Sequence, residues 1–487
     1  MAMKTPAPAP GAREKPIDPV EAALGFWNCC ANVADLWWSR HGGLAPVKGV
    51  ASQRLRSLVR HARDASPFYK RHYADLPERG LALGELPTVS KSQLMASFDD
   101  WSTDRRVRRA DVERFLADRT RVGETFLGYH AWKSSGTSGT PGIFLQDARA
   151  MAVYDALIAA QFDQVALDPG CGPRLWAGRG RSALVVATGD HFASITSWEH
   201  LARSNPASDR RSFSVLEPTA RLVAQLNEYR PAFLASYPSV LELLATERDG
   251  RRLAIAPALV WSGGEHLGDA ARVAIEKSFG CRVMNEYGAS ECLSIAFGCR
   301  EGWMHLNTEW VILEAVDALG NAVAPGELSH SVLVTNLANR LQPIIRYDLG
   351  DRVTMLPVPC PCGSPLPALR VEGRGDATVE LRTSRGARVR LAPLALSTVV
   401  EEAAGEHRFQ IAQTAADRLV VRFDAGGSEA KRAQVWRHAS RALGSYLASQ
   451  SLPNVRVVLD RAPPRLDPRS GKLHAVTIET ACRPKPR

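Results

Sequence analysis

Residues 257–291 read PALVWSGGEHLGDAARVAIEKSFGCRVMNEYGASE, and this stretch decides the fold class. PALVWSGGE is a short β-branched run ending in glycine, as a strand entering a loop does. LGDAARVAIEKSFG then sets Ala271, Val273, Ala274 and Ile275 among helix formers, with Gly280 as a stop. CRVMNEYG is a second strand. Strand, helix and strand in this space make a β-α-β unit, which implies a parallel sheet with ligands at the carboxyl ends of its strands. RSALVVATGD (181–190) has the same texture, and strands and helices are expected to alternate from about residue 150 to 350. The class is α/β, a large domain with mostly parallel sheets.

After residue 376 the texture changes. HRFQIAQTA (407–415), DRLVVRFDA (417–425) and NVRVVLD (454–460) read as strands around one long helix, 429–450. Val435, Trp436, Ala439, Leu443, Tyr446 and Leu447 give that helix a single apolar face. The expected division is a disordered Pro- and Ala-rich arm over 1–19, a large domain over 20–374 and a small mobile α+β domain over 375–487. A large domain followed by a small one suits a site in the cleft between them. Near the start, ALGFWNCCANVADLWW (23–38) spaces Phe26, Trp27, Cys30, Val33, Leu36 and Trp37 as an amphipathic packing helix.

The arm lacks the apolar block of a signal peptide, and no stretch has the length of a membrane span, so a cytoplasmic protein is expected. A net charge of +10 admits nucleic acid, a membrane surface or polyanionic small molecules as partners. The basic residues are dispersed and interleaved with acids, as in TDRRVRRADVERF (103–115), which favours a solvated surface over a nucleic-acid footprint. Nine cysteines without a secretory signal do not suggest a disulfide framework.

KSSGTSGTPG (133–142) is too polar for a core. Its glycines let backbone N–H groups approach a ligand, and its hydroxyls add donors, so it can wrap phosphate oxygens. It is not the P-loop of nucleotide kinases, because no Lys-Ser/Thr follows the glycine. Alone it would read as a plain flexible loop. Its companions change that. SSGTSGTPG, WSGGEHL (261–267), NEYGASE (285–291), RYDLGD (346–351), GRGD (373–376) and RSGKLHAV (469–476) resemble, in order, the phosphate loop, two adenine-facing segments, ribose segment, hinge and lysine loop of the acyl-adenylate-forming superfamily. RLRSLVRHARDASPFYKRHY (54–73) and the SGTSGTPG form resemble its phenylacetate–coenzyme A ligase-like branch.

The resemblance implies roles. Ser135, Gly136, Thr137, Ser138, Gly139 and Thr140 would surround the outer phosphates of ATP. Gly264, Glu265, Tyr287 and Gly288 would face adenine, with Tyr287 packed on the base. Ser290 would bond the α-phosphate and Glu291 would hold Mg²⁺, a hard ion suited to carboxylate oxygen. Asp351 would accept from the ribose hydroxyls, with Arg374 nearby. Lys472 would bridge the α-phosphate and the acid's carboxylate. Asp376 would be the hinge about which the small domain rotates. His191 and Trp198, in ATGDHFASITSW (187–198), lie where the family's acid pocket begins.

Cys299 and His305 in GCREGWMH, with Cys360 and Cys362 in VPCPCGS, are two short ligand pairs able to close a tetrahedral S₃N zinc site. The competing reading is buried thiols and a packed histidine. Some members of the same branch carry a comparable cluster, which favours structural Zn²⁺. Cys29, Cys30, Cys171, Cys281, Cys292 and Cys482 read as ordinary thiols.

Three functions stay open at this level. The first is an ATP-dependent ligase that adenylates a small-molecule carboxylic acid, of aromatic class by its branch, and transfers it to coenzyme A. The second delivers the acyl group to a carrier protein or an amine. ATVELRTSRGARVRLAP (377–393), after the hinge, departs from the usual phenylacetate ligase form and leaves the acceptor open. The third is a non-catalytic zinc and nucleic-acid-binding protein, against which Glu291, Asp351 and Lys472 together argue. The expected partners are therefore the acid, ATP and coenzyme A, without nucleic acid or membrane; a homodimer is compatible with the chain.

Overall fold

The structure, a computed structural model, describes residues 19–77, 82–134, 141–166, 171–177, 180–204, 208–372, 379–424, 429–465 and 473–479. The arm over 1–19 lies outside these residues except Pro19, which begins a helix, Pro19–His41. Ser135–Thr140, Arg374, Asp376, Lys472 and Cys482 also lie outside them.

A nine-stranded sheet organises the large domain. Five strands, Arg210–Ser214, Ser182–Val186, Phe233–Ser236, Leu259–Gly263 and Val283–Ala289, run parallel in that spatial order. The unit read at 257–291 is there: Leu259–Gly263, helix Asp269–Phe279 and Val283–Ala289, with Gly280 closing the helix at φ 62°. Glycine takes this left-handed conformation without a Cβ penalty. Of the helix's expected apolar residues, Ile275 is buried beside Phe279, whereas Val273 is exposed.

Beyond Val283 the expected alternation fails. Cys292–Gly298, Met304–Leu306, Ala368–Glu372 and Arg352–Met355 continue the sheet antiparallel. Val311–Val316, Ser331–Asn336 and Ile344–Asp348 form a separate antiparallel sheet. The two-residue connection from Ala289 to Cys292 is too short for a crossover helix, so antiparallel pairing is what it permits.

The small domain has a four-stranded sheet ordered Arg456–Asp460, Arg418–Phe423, Phe409–Ala415, Val476–Ile478. The long helix Glu429–Ser449 buries Val435, Ala439, Leu443, Tyr446 and Leu447 as its pattern requires. It is not the single helix expected. Pro393–Ala404 is a second one, following a hairpin of Val379–Arg382 and Arg388–Leu391. The small domain docks on the large one: Gln450 Oε1 accepts from Thr219 N at 3.1 Å, and its Nε2 donates to Glu217 O at 3.1 Å.

Two surface readings change. In Pro19–His41 the packed residues are Cys29, Val33 and Leu36, whereas Trp27, Cys30 and Trp37 are exposed, so the expected apolar face is only partly the buried one. The basic run at 103–115 is ion-paired throughout: Arg105 with Asp100, Arg106 with Asp104, Arg108 with Asp99, Arg109 with Glu113 and Arg114 with Asp111. No helix among the described residues is long and apolar enough to cross a membrane.

Candidate active site

The carboxyl ends of the parallel strands open into a cleft of about 3170 Å³ that also touches the small domain through Pro393, Ser397, Glu401 and His407. Val283–Ala289 and Cys292–Gly298 form a hairpin whose two-residue tip is Ser290–Glu291. A tip this tight projects its residues away from the sheet, and both line the cleft.

Three donors hold the tip. Trp132 Nε1 donates to Ser290 O at 2.9 Å, Asn336 Nδ2 to Glu291 O at 3.0 Å, and Tyr347 Oη to Glu291 Oε1 at 2.7 Å. Glu291 is buried, and burial together with this carboxylate pushes the Tyr347 phenol far above its ordinary range, so it stays a donor. Gly288 sits where the pairing shifts register, and a Cβ there would lie 1.9 Å from Leu293 O. Only glycine fits.

Tyr287 is buried and donates its phenol to Asp351 Oδ2 at 3.0 Å. Burial and the neighbouring carboxylate raise that phenol well above its usual range. Asp351 follows Ile344–Asp348, where Arg346 is held at φ 48°. Its guanidinium bonds Glu314 Oε2 at 3.1 Å and Gly84 O at 3.0 Å. A non-glycine residue in this region is strained and persists where surroundings impose it.

Gly264, at φ 79°, would place a Cβ 3.0 Å from the Tyr237 ring. Glu265 Oε2 accepts from Ser239 N at 3.1 Å, in the first turn of helix Pro238–Asp249. Both line the cleft. Trp198 lines it as well. His191 does not: it is fully buried with Nε2 2.9 Å from Asp118 O, and it serves packing rather than substrate contact. Its expected place in the acid pocket is corrected accordingly.

Sequence reasoning missed several groups here. Lys133, immediately before the hydroxyl-rich loop, pairs with buried Asp190 at 2.5 Å. Arg119 reaches Asp190 at 3.8 Å and Glu402 of the small domain at 3.5 Å. Beside them Glu401 is buried, and burial pushes its carboxyl up to about 8 against the opposing pull of Lys133. The only signal in the chain was Lys133 adjoining the loop.

Cys299, His305, Cys360 and Cys362 come together as the spacing suggested, with ligand atoms all within 4.8 Å of one another. Cys299 and Cys360 sulfurs are 3.8 Å apart, and Cys362 Sγ is 3.1 Å from His305 Nε2. Zn–S bonds of about 2.3 Å at tetrahedral angles put sulfurs about 3.8 Å apart. His305 Nδ1 is 3.0 Å from Leu366 O, which orients Nε2 toward the sulfurs. The donor set therefore fits a closed zinc site.

No protein-family profile matches the chain. Over 135 residues it is 28% identical to Protein CapK of Staphylococcus aureus, a stretch covering 27% of this chain and 28% of that protein. The chain thus spans little more than a quarter of the length of this curated relative. A crystal structure of 2-hydroxyisobutyryl-CoA ligase with 2-HIB-AMP and CoA, in its thioesterification state, superposes with a TM-score of 0.55 at 21% identity, covering 89% of both chains. The same ligase in its postadenylation state with 2-HIB-AMP matches at 0.51 and 20% identity, over 90% of this chain and 89% of the other. The chain has the fold of this ligase.

Proposed function

We propose that the protein is an AMP-forming acid–thiol ligase of the acyl-adenylate-forming superfamily. It activates a carboxylic acid with ATP, releases pyrophosphate, and passes the acyl group from the adenylate to coenzyme A with release of AMP. The observation that carries this reading is the convergence of NEYGASE and RYDLGD on one cleft, joined by Tyr287–Asp351 and Tyr347–Glu291. The fold shared with a ligase captured with an acyl-adenylate and CoA supports it. With these substrates we place the protein in the cytoplasm.

Joining a carboxylate to ATP brings two anions together, so the site must stabilise charge at the α-phosphorus. Tyr287 packs on adenine, and Asp351 accepts from ribose while Tyr287 fixes its carboxylate. Ser290, at the hairpin tip, donates to the α-phosphate. Glu291 holds Mg²⁺, which would neutralise phosphate charge, and Tyr347 keeps the carboxylate aimed. Ser135–Thr140 wrap the outer phosphates, and Lys472 bridges α-phosphate and acid, roles assigned from sequence. By the same sequence assignment Arg374 would act near the ribose, and rotation about Asp376 would exchange the two half-reactions. The aromatic wall of the cleft suits an aromatic acid. Cys299, His305, Cys360 and Cys362 would hold a structural zinc, which would brace the fold beside the large sheet.

The test is acid-dependent pyrophosphate release in wild type and Lys472→Ala. The variant should lose adenylation by several orders of magnitude while binding ATP. Unchanged release would remove Lys472 from its role, and no release with any acid in the wild type would remove the reading.

A further inference from the structure

Part of the cleft's lining is aromatic, and Trp261, the first residue of WSGGEHL, belongs to it. Phe162 stacks on Trp261 with centroids 5.5 Å apart and planes at 19°, and Phe233 lies 5.3 Å from Phe162. Trp198 stacks on Phe233 at 6.5 Å, and all four rings line the cleft. A carboxyl adjoins Trp261 of this wall. Glu286, on Val283–Ala289, lines the same cleft and accepts from Trp261 Nε1 through Oε2 at 3.2 Å. Its neighbour on the adjacent strand is Gly263, which has no side chain to cover it.

The groups acting on Glu286 are Ser294 and Trp261, both neutral donors. Burial pushes its carboxyl up to about 7. A carboxylate has about four lone-pair sites, so two donors leave acceptor capacity on a residue that lines the cleft. An acidic group set among aromatic rings with only neutral donors is unfavourable unless a further partner arrives.

We infer that Glu286 determines specificity in the acid pocket, and that the preferred acids carry a hydrogen-bond donor, an amine or a hydroxyl, besides the carboxylate that reacts. This rests on the adenylation reading for the use of the pocket, not for the recognition itself. A purely hydrocarbon acid would bury Glu286 further without giving it a partner. Sites built to bond a substrate's polar group reject analogues lacking it far more strongly than apolar pockets reject a missing methylene. A protonated Glu286 still accepts through its carbonyl oxygen, and an ammonium would draw it to the ionised form.

Calorimetric binding of benzoate and phenylacetate is compared with binding of their hydroxy- and amino-substituted forms, alongside acid-dependent pyrophosphate exchange. The wild type should bind the donor-bearing acids at least tenfold more tightly. Glu286→Leu should erase or reverse that ratio, while the isosteric Glu286→Gln keeps the hydroxy preference and loses the amino one. Three results overturn the inference: equal binding of both classes by the wild type, a preference that survives in Glu286→Leu, or binding of none of these acids. If the preference holds in calorimetry but no acid supports exchange, adenylation falls and the recognition stands.

Discussion

Tyr287 and Asp351 are joined at 3.0 Å between two segments far apart in the chain, and Asp351 is the partially exposed member of the pair. The phenol takes one acceptor site of the carboxylate, and Asp351 lines the cleft, where a diol could reach it. Asp351→Ala should raise the KM for ATP by at least about a hundredfold, since a hydrogen bond to a charged group contributes about 1.5–3 kcal/mol and a ribose offers two. Tyr287→Phe should raise it only about tenfold, because it loosens the carboxylate without removing it. Steady-state kinetics at saturating acid separates the two; an unchanged KM in Tyr287→Phe would mean that Tyr287 acts through its ring alone.

Gly288→Ala tests the hairpin that carries Ser290 and Glu291. Its Cβ would overlap Leu293 O, a backbone atom that cannot swing aside. The strands must part to relieve it, at a cost of about 3 kcal/mol. In a chain of 487 residues, with an unfolding entropy of about 2 cal/mol/K per residue, that lowers the thermal midpoint by roughly 3 °C. ATP binding should weaken in parallel, because the tip moves with its strands. Calorimetric melting and nucleotide titration check both.

The parts legible in sequence are those whose signals are local. In 257–291 a period near two gives way to one near 3.6 and back, and every boundary is marked by glycine or a charged turn. The antiparallel strands after Val283 were not legible, because their partners are set by pairing across the sheet. Pro393–Ala404 was hidden for another reason: Ala395, Leu396, Ser397, Thr398, Val400 and Glu401 are all buried, so no polar face exposes a helical period. Trp27 and Trp37 misled in the opposite sense, being apolar and exposed. In the site, NEYGASE and RYDLGD meet through Tyr287–Asp351 and Tyr347–Glu291, yet Glu286 and Asp190 stood out only once their surroundings were known. Buried carboxyls are identified by what covers them, and that is tertiary information.

The cysteine and histidine cluster makes a metal prediction. Purified protein should contain about one zinc per chain, and Cys360→Ser should lose it, since three ligands no longer close a tetrahedron. Chelation should lower the thermal midpoint of the wild type and leave that of Cys360→Ser unchanged, because binding free energy is folding free energy here. Elemental analysis and melting curves provide the two readouts. Zinc absent from both proteins would mean that the four side chains form only a packed thiol cluster.

Glu401 makes the seam between the domains sensitive to pH. It lies buried against Lys133, Asp190, Glu402 and His407, and burial raises its carboxyl to about 8. With the small domain swung away it would return toward the ordinary carboxylate value near 4.3. The docked arrangement therefore binds the extra proton, and its stability is fully present below the ordinary value and lost as pH rises through about 8. His407 works in the opposite sense, since burial lowers it and acid would charge it; its effect falls below its ordinary value near 6.5. Between about pH 6.5 and 9 the Glu401 effect governs, and alkali should release the small domain. Small-angle scattering or inter-domain fluorescence transfer across that range should report an opening that Glu401→Gln suppresses. An opening that persists in the variant would assign the transition to the Lys133–Asp190 and Arg119–Glu402 pairs instead.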